Sequence, residues 1–300
     1  MNNLKWRKVI IFLLTCALLV LSLSFGLAES KGGEGSVVVL DPPAEEPATD
    51  SAMLDMEPYI PANVAEASFY SEPPASYGDD EVFIDAEVFD TGEARVIVED
   101  TDQYPYSAIA YLEVHYTCGC DTSSTGFMVG PDRLLTAAHC LICTDHSAWA
   151  DEISFYFGYK DENHYMYKYD GRWTAYVGNL FKNKKYTTDY DYGCMKLAEP
   201  VGNVVGWFGY QYGVPDRTLK STYLYIAGYR YGVLTRDGGY AVPRGKQFIE
   251  YTMDMEPGNS GSPVFTADYH AFAINIAEND KVNTGYRLTD YVIDELNKLK

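Results

Sequence analysis

Downstream of residue 107 the chain alternates short apolar runs with turn signals. Runs rich in Val, Ile, Tyr and Phe occupy residues 108–116, 126–129, 153–159, 223–229, 247–253 and 271–277. Gly130-Pro131-Asp132, Arg236-Asp237-Gly238-Gly239 and Asn279-Asp280 punctuate them. This pattern predicts many short antiparallel strands, an all-β domain. The last segment has a different period. Leu288, Val292, Leu296 and Leu299 recur at helical spacing, which predicts a helix over 288–299 with Thr289 or Asp290 as its cap. No internal repeat is visible.

At the other end, residues 9–27 are mostly apolar and follow Lys5, Arg7 and Lys8. Gly26-Leu27-Ala28 then offers the small residues that a signal peptidase reads, so residues 1–28 are expected to be a signal peptide cleaved after Ala28. A retained membrane anchor is the alternative, because the run approaches spanning length. Cys16 lies inside the run with apolar residues after it, a poor context for a lipid anchor.

Charge divides the remainder. The whole chain of 300 residues carries −20, yet residues 101–300 contribute only −6. Residues 29–100 hold 19 Asp and Glu against Lys31 and Arg95. That segment is also Pro-rich and poor in apolar residues (Asp41-Pro42-Pro43, Glu72-Pro73-Pro74), so it cannot bury enough surface to fold alone. This acidic segment is therefore expected to be disordered. No basic stripe exists, which excludes nucleic acid as an expected partner.

Outside the signal there are five cysteines, four of them within 26 residues: Cys118, Cys120, Cys140 and Cys143. A C-x-C pair closing on itself is strained, so Cys118 and Cys120 are each expected to bridge to one of Cys140 and Cys143, with both pairings open. Zinc held by these four cysteines is the lesser alternative, since C-x-C with C-x₂-C is a less usual ligand spacing. Cys194 sits in an apolar stretch and reads as a buried free thiol.

Two phrases carry the chemistry. Gly258-Asn259-Ser260-Gly261-Ser262-Pro263 places a serine between glycines in a tight turn, where nothing blocks the approach of a substrate carbonyl. Leu134-Leu135-Thr136-Ala137-Ala138-His139-Cys140 places a histidine just after an apolar strand. A serine needs a base within reach and an acid to orient that base. His115, His146, His164 and His270 lack a comparable context and read as surface or strand residues. Asp191, ahead of Tyr192-Gly193 and the apolar strand beyond, and Asp189 are the two candidate acids.

These phrases resemble the chymotrypsin-like serine peptidases. Asn259 stands where the digestive zymogens carry aspartate, and no cysteine lies near Ser260 to brace a pocket. The bacterial glutamyl endopeptidase branch is more similar, through Tyr104-Pro105-Tyr106-Ser107-Ala108-Ile109, Gly206-Trp207-Phe208-Gly209, Ala227-Gly228-Tyr229 and the run from Asp254 to Val264. The resemblance spans about residues 88–299. It implies two six-stranded antiparallel β-barrels with a C-terminal helix, a folded domain over residues 88–300 that follows a removable acidic pro-segment over 29–87. It further implies a secreted, monomeric serine endopeptidase acting on protein or peptide substrates, with His139, Asp191 and Ser260 as triad and the N–H groups of Gly258 and Ser260 as oxyanion donors. No cofactor, metal or lasting membrane association is expected.

Specificity departs from the branch. Its glutamate-reading histidine falls on Asn275, and its hydroxyl residue on Met255. Neither offers a cation to a buried carboxylate, which is costly to desolvate unpaired. The Asn275 amide can still donate, leaving a weak polar preference open. Asp254 could floor a pocket for Lys or Arg, although a structural role is favoured because glutamate-cleaving relatives share it. The family's mature start falls near Val88, after Glu87, with Arg95-Val96 as a second cut. A catalytically silent homologue serving as an extracellular binding module is the competing reading.

Overall fold

The computed structural model describes residues 33–40, 53–67, 95–178, 181, 188–254, 256–278 and 282–299. The expected signal peptide, Cys16, the cut at residue 88 and Met255 lie outside the described residues. In chain order, β1 (Gly33–Leu40), β2 (Met53–Met56) and β3 (Val96–Ile97) precede β4 (Ile109–Tyr116), β5 (Asp121–Met128), β6 (Arg133–Thr136), β7 (Ile142–Cys143), β8 (Ala148–Phe157), β9 (Tyr167–Tyr169), β10 (Trp173–Gly178) and β11 (Gly193–Leu197). Helix α1 (Gly202–Val205), β12 (Gly209–Tyr212) and helix α2 (Asp216–Ser221) lead into the second half. There follow β13 (Leu224–Arg230), β14 (Val233–Gly239), β15 (Ala241–Arg244), β16 (Phe248–Tyr251), β17 (Pro263–Phe265), β18 (His270–Glu278), β19 (Asn283–Arg287) and helix α3 (Asp290–Lys298).

The strands build two curled sheets, ordered β1-β10-β11-β6-β5-β4-β8-β7, with β9 on β8, and β15-β16-β19-β18-β17-β13-β14-β3, with β12 on β18 and β2 on β12. Two curled sheets followed by a short C-terminal helix are the architecture that the resemblance implies, here in nine and ten strands. Two pairings depart from a purely antiparallel plan, β1 with β10 and β12 with β18.

Period-2 patterning drives the curl. In β4, Leu112, Val114 and Tyr116 point inward while Glu113 is exposed. The first sheet closes over Leu112, Phe155, Trp173 and Met195, and the second over Ile226, Ile249, Tyr251 and Val264. Burying each such side chain contributes about 1.5–3 kcal/mol against conformational entropy. Leu288, Val292, Leu296 and Leu299 are all buried, as their spacing predicts. The cap is Thr289, whose side chain accepts from the Val292 N–H. No helix among the described residues is long and apolar enough to cross a membrane.

Of residues 29–87, 33–40 and 53–67 are described, and these lie against the folded domain. Backbone of β1 runs parallel to β10 and touches β8, joining two strands at the open side of the first sheet. β2 pairs with β12. Tyr59 stacks on Trp207 with ring centroids 4.3 Å apart, and Ala67 N–H and Tyr104 N–H exchange hydrogen bonds of 2.7 Å with Tyr104 and Ala65 carbonyls. Unpaired backbone at a neighbouring sheet edge gives an apolar-poor segment hydrogen bonds that it cannot make alone.

Candidate active site

The site lies where the two sheets face each other. β6 ends at Thr136, and a short 3₁₀ turn over Ala138–Cys140 projects His139. Asp191 immediately precedes β11, which pairs with β6 and so carries the aspartate back to the histidine. The contact has two points: Asp191 Oδ2 lies 2.7 Å from His139 Nδ1, and Oδ1 accepts the His139 backbone N–H at 2.9 Å. Both carboxylate oxygens are used, which fixes the ring and its loop together. The Asp191 side chain is 6 % exposed and that of His139 29 %, so the ring keeps an open edge. Asp189, the alternative acid, is half-buried and is not the carboxylate that engages His139.

Burial is the largest influence on His139 and pulls its pKa down. The Asp191 charge, with Cys140 and the Asp191 hydrogen bond, outweighs that and holds it well above the ordinary histidine value. Helix α3 braces the acid's strand from behind. Cys194, a buried free thiol as expected, points its Sγ at the Val292 carbonyl 3.6 Å away. Tyr192 packs edge-on against Tyr291.

The serine turn is anchored from the first sheet by a residue the sequence did not single out. Thr125 on β5 donates its N–H to the Ser260 carbonyl at 2.9 Å and its hydroxyl to the Gly258 carbonyl at 3.0 Å. It also accepts the Tyr229 N–H at 2.9 Å. One threonine thereby ties β5 to the nucleophile turn and to β13. Gly261 makes this approach possible. A Cβ there would stand 1.9 Å from the Thr125 carbonyl oxygen, at a φ of +90° that favours glycine. The neighbour of His139 also meets this turn, since Cys140 Sγ lies 3.7 Å from the Ser260 carbonyl.

That contact corrects the expected disulfides. Cys140 is buried and faces Ser260, and all five described cysteines outside the signal are free thiols. Bridges from Cys118 or Cys120 to Cys140 do not form, because the 3₁₀ turn presents Cys140 inward.

The pattern of the trypsin-like peptidase domain matches residues 124–274. The chain is also 30% identical over 221 residues to the glutamyl endopeptidase of Bacillus licheniformis, covering 69% of this chain and 67% of the relative. It belongs to the trypsin-like peptidase family. Over 216 residues this trypsin-like peptidase is 29% identical to a Bacillus subtilis protein named extracellular metalloprotease, covering 68% and 67%. Its fold matches the solved structure of Glu endopeptidase in complex with MPD with a TM-score of 0.56 at 24% identity, over 68% of this chain and 94% of that one. It likewise matches the protease Anisep from Arthrobacter nicotinovorans with a TM-score of 0.53 at 18% identity, over 64% and 94%. The chain is a serine endopeptidase of the glutamyl endopeptidase-like branch.

Two of the three residues expected to read substrate, Asp254 and Asn275, hold partners within this chain. Asn275 is buried, its Oδ1 accepting the Tyr251 hydroxyl at 2.5 Å and its Nδ2 donating to the Asn259 carbonyl at 3.3 Å. Its backbone clamps the serine turn, accepting Gly261 N–H and donating to the Ser262 carbonyl, both at 2.8 Å. The Asp254 carboxylate lies 3.4 Å from Arg95 Nε, and Arg95 also pairs with Glu256 at 2.5 Å. Asp254 thus already holds a cation from this chain, and its backbone N–H donates to Asp237 at 2.7 Å. Arg95, the second candidate cut, has a side chain only 17 % exposed.

Proposed function

We propose that Ser260, His139 and Asp191 form the catalytic triad of this endopeptidase. The two-point contact between Asp191 and His139 carries the reading, because it leaves Nε2 as the ring nitrogen free to act as base. Ser260 attacks the scissile carbonyl while His139 takes the hydroxyl proton. His139 then gives that proton to the leaving amine, and water repeats the sequence to release the acyl group. The N–H groups of Gly258 and Ser260 hold the developing oxyanion, in a turn that Thr125 and Asn275 keep rigid.

We further infer a secreted, monomeric protein, freed of residues 1–28 on export and of residues 29–87 on maturation. The family, the extracellular label of the Bacillus subtilis relative and the leader-like start support this reading. Because Asp254 is paired and Asn275 is engaged at both ends of its amide, a fixed charge in the pocket is not what selects substrate. Preference then follows pocket shape.

A diverse peptide library digested by the processed protein and read by mass spectrometry tests both parts. Cuts that vanish in Ser260→Ala are expected, without a dominant acidic or basic residue before the scissile bond. Equal cutting by Ser260→Ala would contradict the triad. No cutting by folded, processed protein would favour the silent binding module.

A further inference from the structure

Three of the thiols freed from the expected disulfides do not disperse. Cys118, Cys120 and Cys143 gather with His146, their ligand atoms all within 4.8 Å of one another. His146 Nδ1 lies 3.4 Å from both Cys120 Sγ and Cys143 Sγ. We propose that Cys118, Cys120, Cys143 and His146 bind one structural zinc ion.

The chemistry fits the set. Zinc takes four ligands tetrahedrally, and with about 2.3 Å to each sulfur the ligand atoms stand roughly 3.8 Å apart. The group needs only a small contraction to reach that. Three thiols lose their protons on binding, and the neutral imidazole ligates through Nδ1, giving Zn²⁺ with three thiolates. Disulfide chemistry fits less well: three thiols cannot all pair, and it would leave the imidazole with no role. Soft thiolates select zinc over calcium or magnesium, and four protein ligands close the coordination shell as in structural sites.

The backbone is shaped for it. Gly119, at a φ of +83° with open space around its Cβ position, turns the C-x-C unit at the tip of the β4–β5 hairpin. Gly119 N–H donates to the Tyr116 carbonyl at 2.7 Å and Tyr116 N–H to the Cys120 carbonyl at 3.0 Å. Cys143 ends β7 and His146 lies in the turn into β8, so the ion would join two loops of the first sheet. One of them leaves His139 only four residues earlier. Tyr116 already reaches across, its hydroxyl donating to the Cys140 carbonyl at 3.0 Å. The zinc would thus fasten the segment that presents the catalytic base. A surface reading of His146 misses this, because the C-x-C turn that completes the site is 26 residues away in sequence.

Elemental analysis of the secreted protein tests the proposal, with thiols counted under denaturation before and after chelation. About one zinc per chain is expected, falling below about one tenth in Cys143→Ser and His146→Ala and unchanged in Cys194→Ala. Cobalt exchanged into the wild-type protein should give the intense thiolate-to-metal absorption of a tetrahedral site. Zinc-free protein after dialysis against zinc, iron or copper in place of zinc, a mass two hydrogens short of the reduced chain, or zinc retained in Cys143→Ser would each overturn it.

Discussion

The catalytic side of the cleft and its substrate-reading side place their polar side chains differently. On the catalytic side His139 and Asp191 meet through two hydrogen bonds, and Cys140, next to His139, meets the Ser260 turn. On the reading side Asp254 and Asn275 are present but turned to internal partners. Catalysis needs particular residue types, and few other uses suit them in that context. Recognition needs a polar group left free, and freedom depends on neighbours remote in sequence. Arg95 and Tyr251 decide it here, 159 and 24 residues away.

Ser260→Ala breaks the catalytic side most completely, with an expected loss of about 10⁶-fold in kcat, the scale at which removing a triad serine acts. Asp191→Asn should cost about 10⁴-fold in kcat with the fold intact by circular dichroism, while Asp189→Asn stays within a few-fold of wild type. Equal losses in the two variants would undo the choice between them. The raised His139 pKa adds a sign. Protonated imidazole cannot accept the serine proton, so kcat/KM should fall on the acid side, with its midpoint above the ordinary 6.5. A midpoint at or below that value would contradict the electrostatic role of Asp191.

The reading side should respond in stability and hardly in preference. Tyr251→Phe leaves a buried Asn275 oxygen without its donor and should destabilise by about 1–3 kcal/mol in denaturant titration, with the cleavage pattern unchanged. Asp254→Asn loosens a partly exposed pair and should cost less than about 1 kcal/mol. A new preference for Lys or Arg loss or gain in that variant would reinstate Asp254 as a pocket floor.

How much was legible follows the same division. Helix α3 and its capping choice were read from four apolar residues and one threonine, because local spacing determines them. The strands around Leu112 and Ile274 were legible for the same reason. Helices α1 and α2, of four and six residues, left no periodic signal to find. β1 was missed because its place depends on an open sheet edge, not on its own composition. Thr125 was missed because a threonine in a strand has no sequence mark of its anchoring role. The cysteines mislead where facing matters: adjacent to His139, Cys140 could face either the cluster or the serine turn, and only the 3₁₀ geometry sends it to Ser260.

The most direct test of the triad is covalent labelling with a fluorophosphonate, which reacts with a serine only when a neighbouring base activates it. One adduct per chain is expected, mapped by mass spectrometry to the peptide containing Ser260 and slowed steeply by Asp191→Asn. Absence of an adduct on folded, processed protein, or an adduct on another residue, would contradict it.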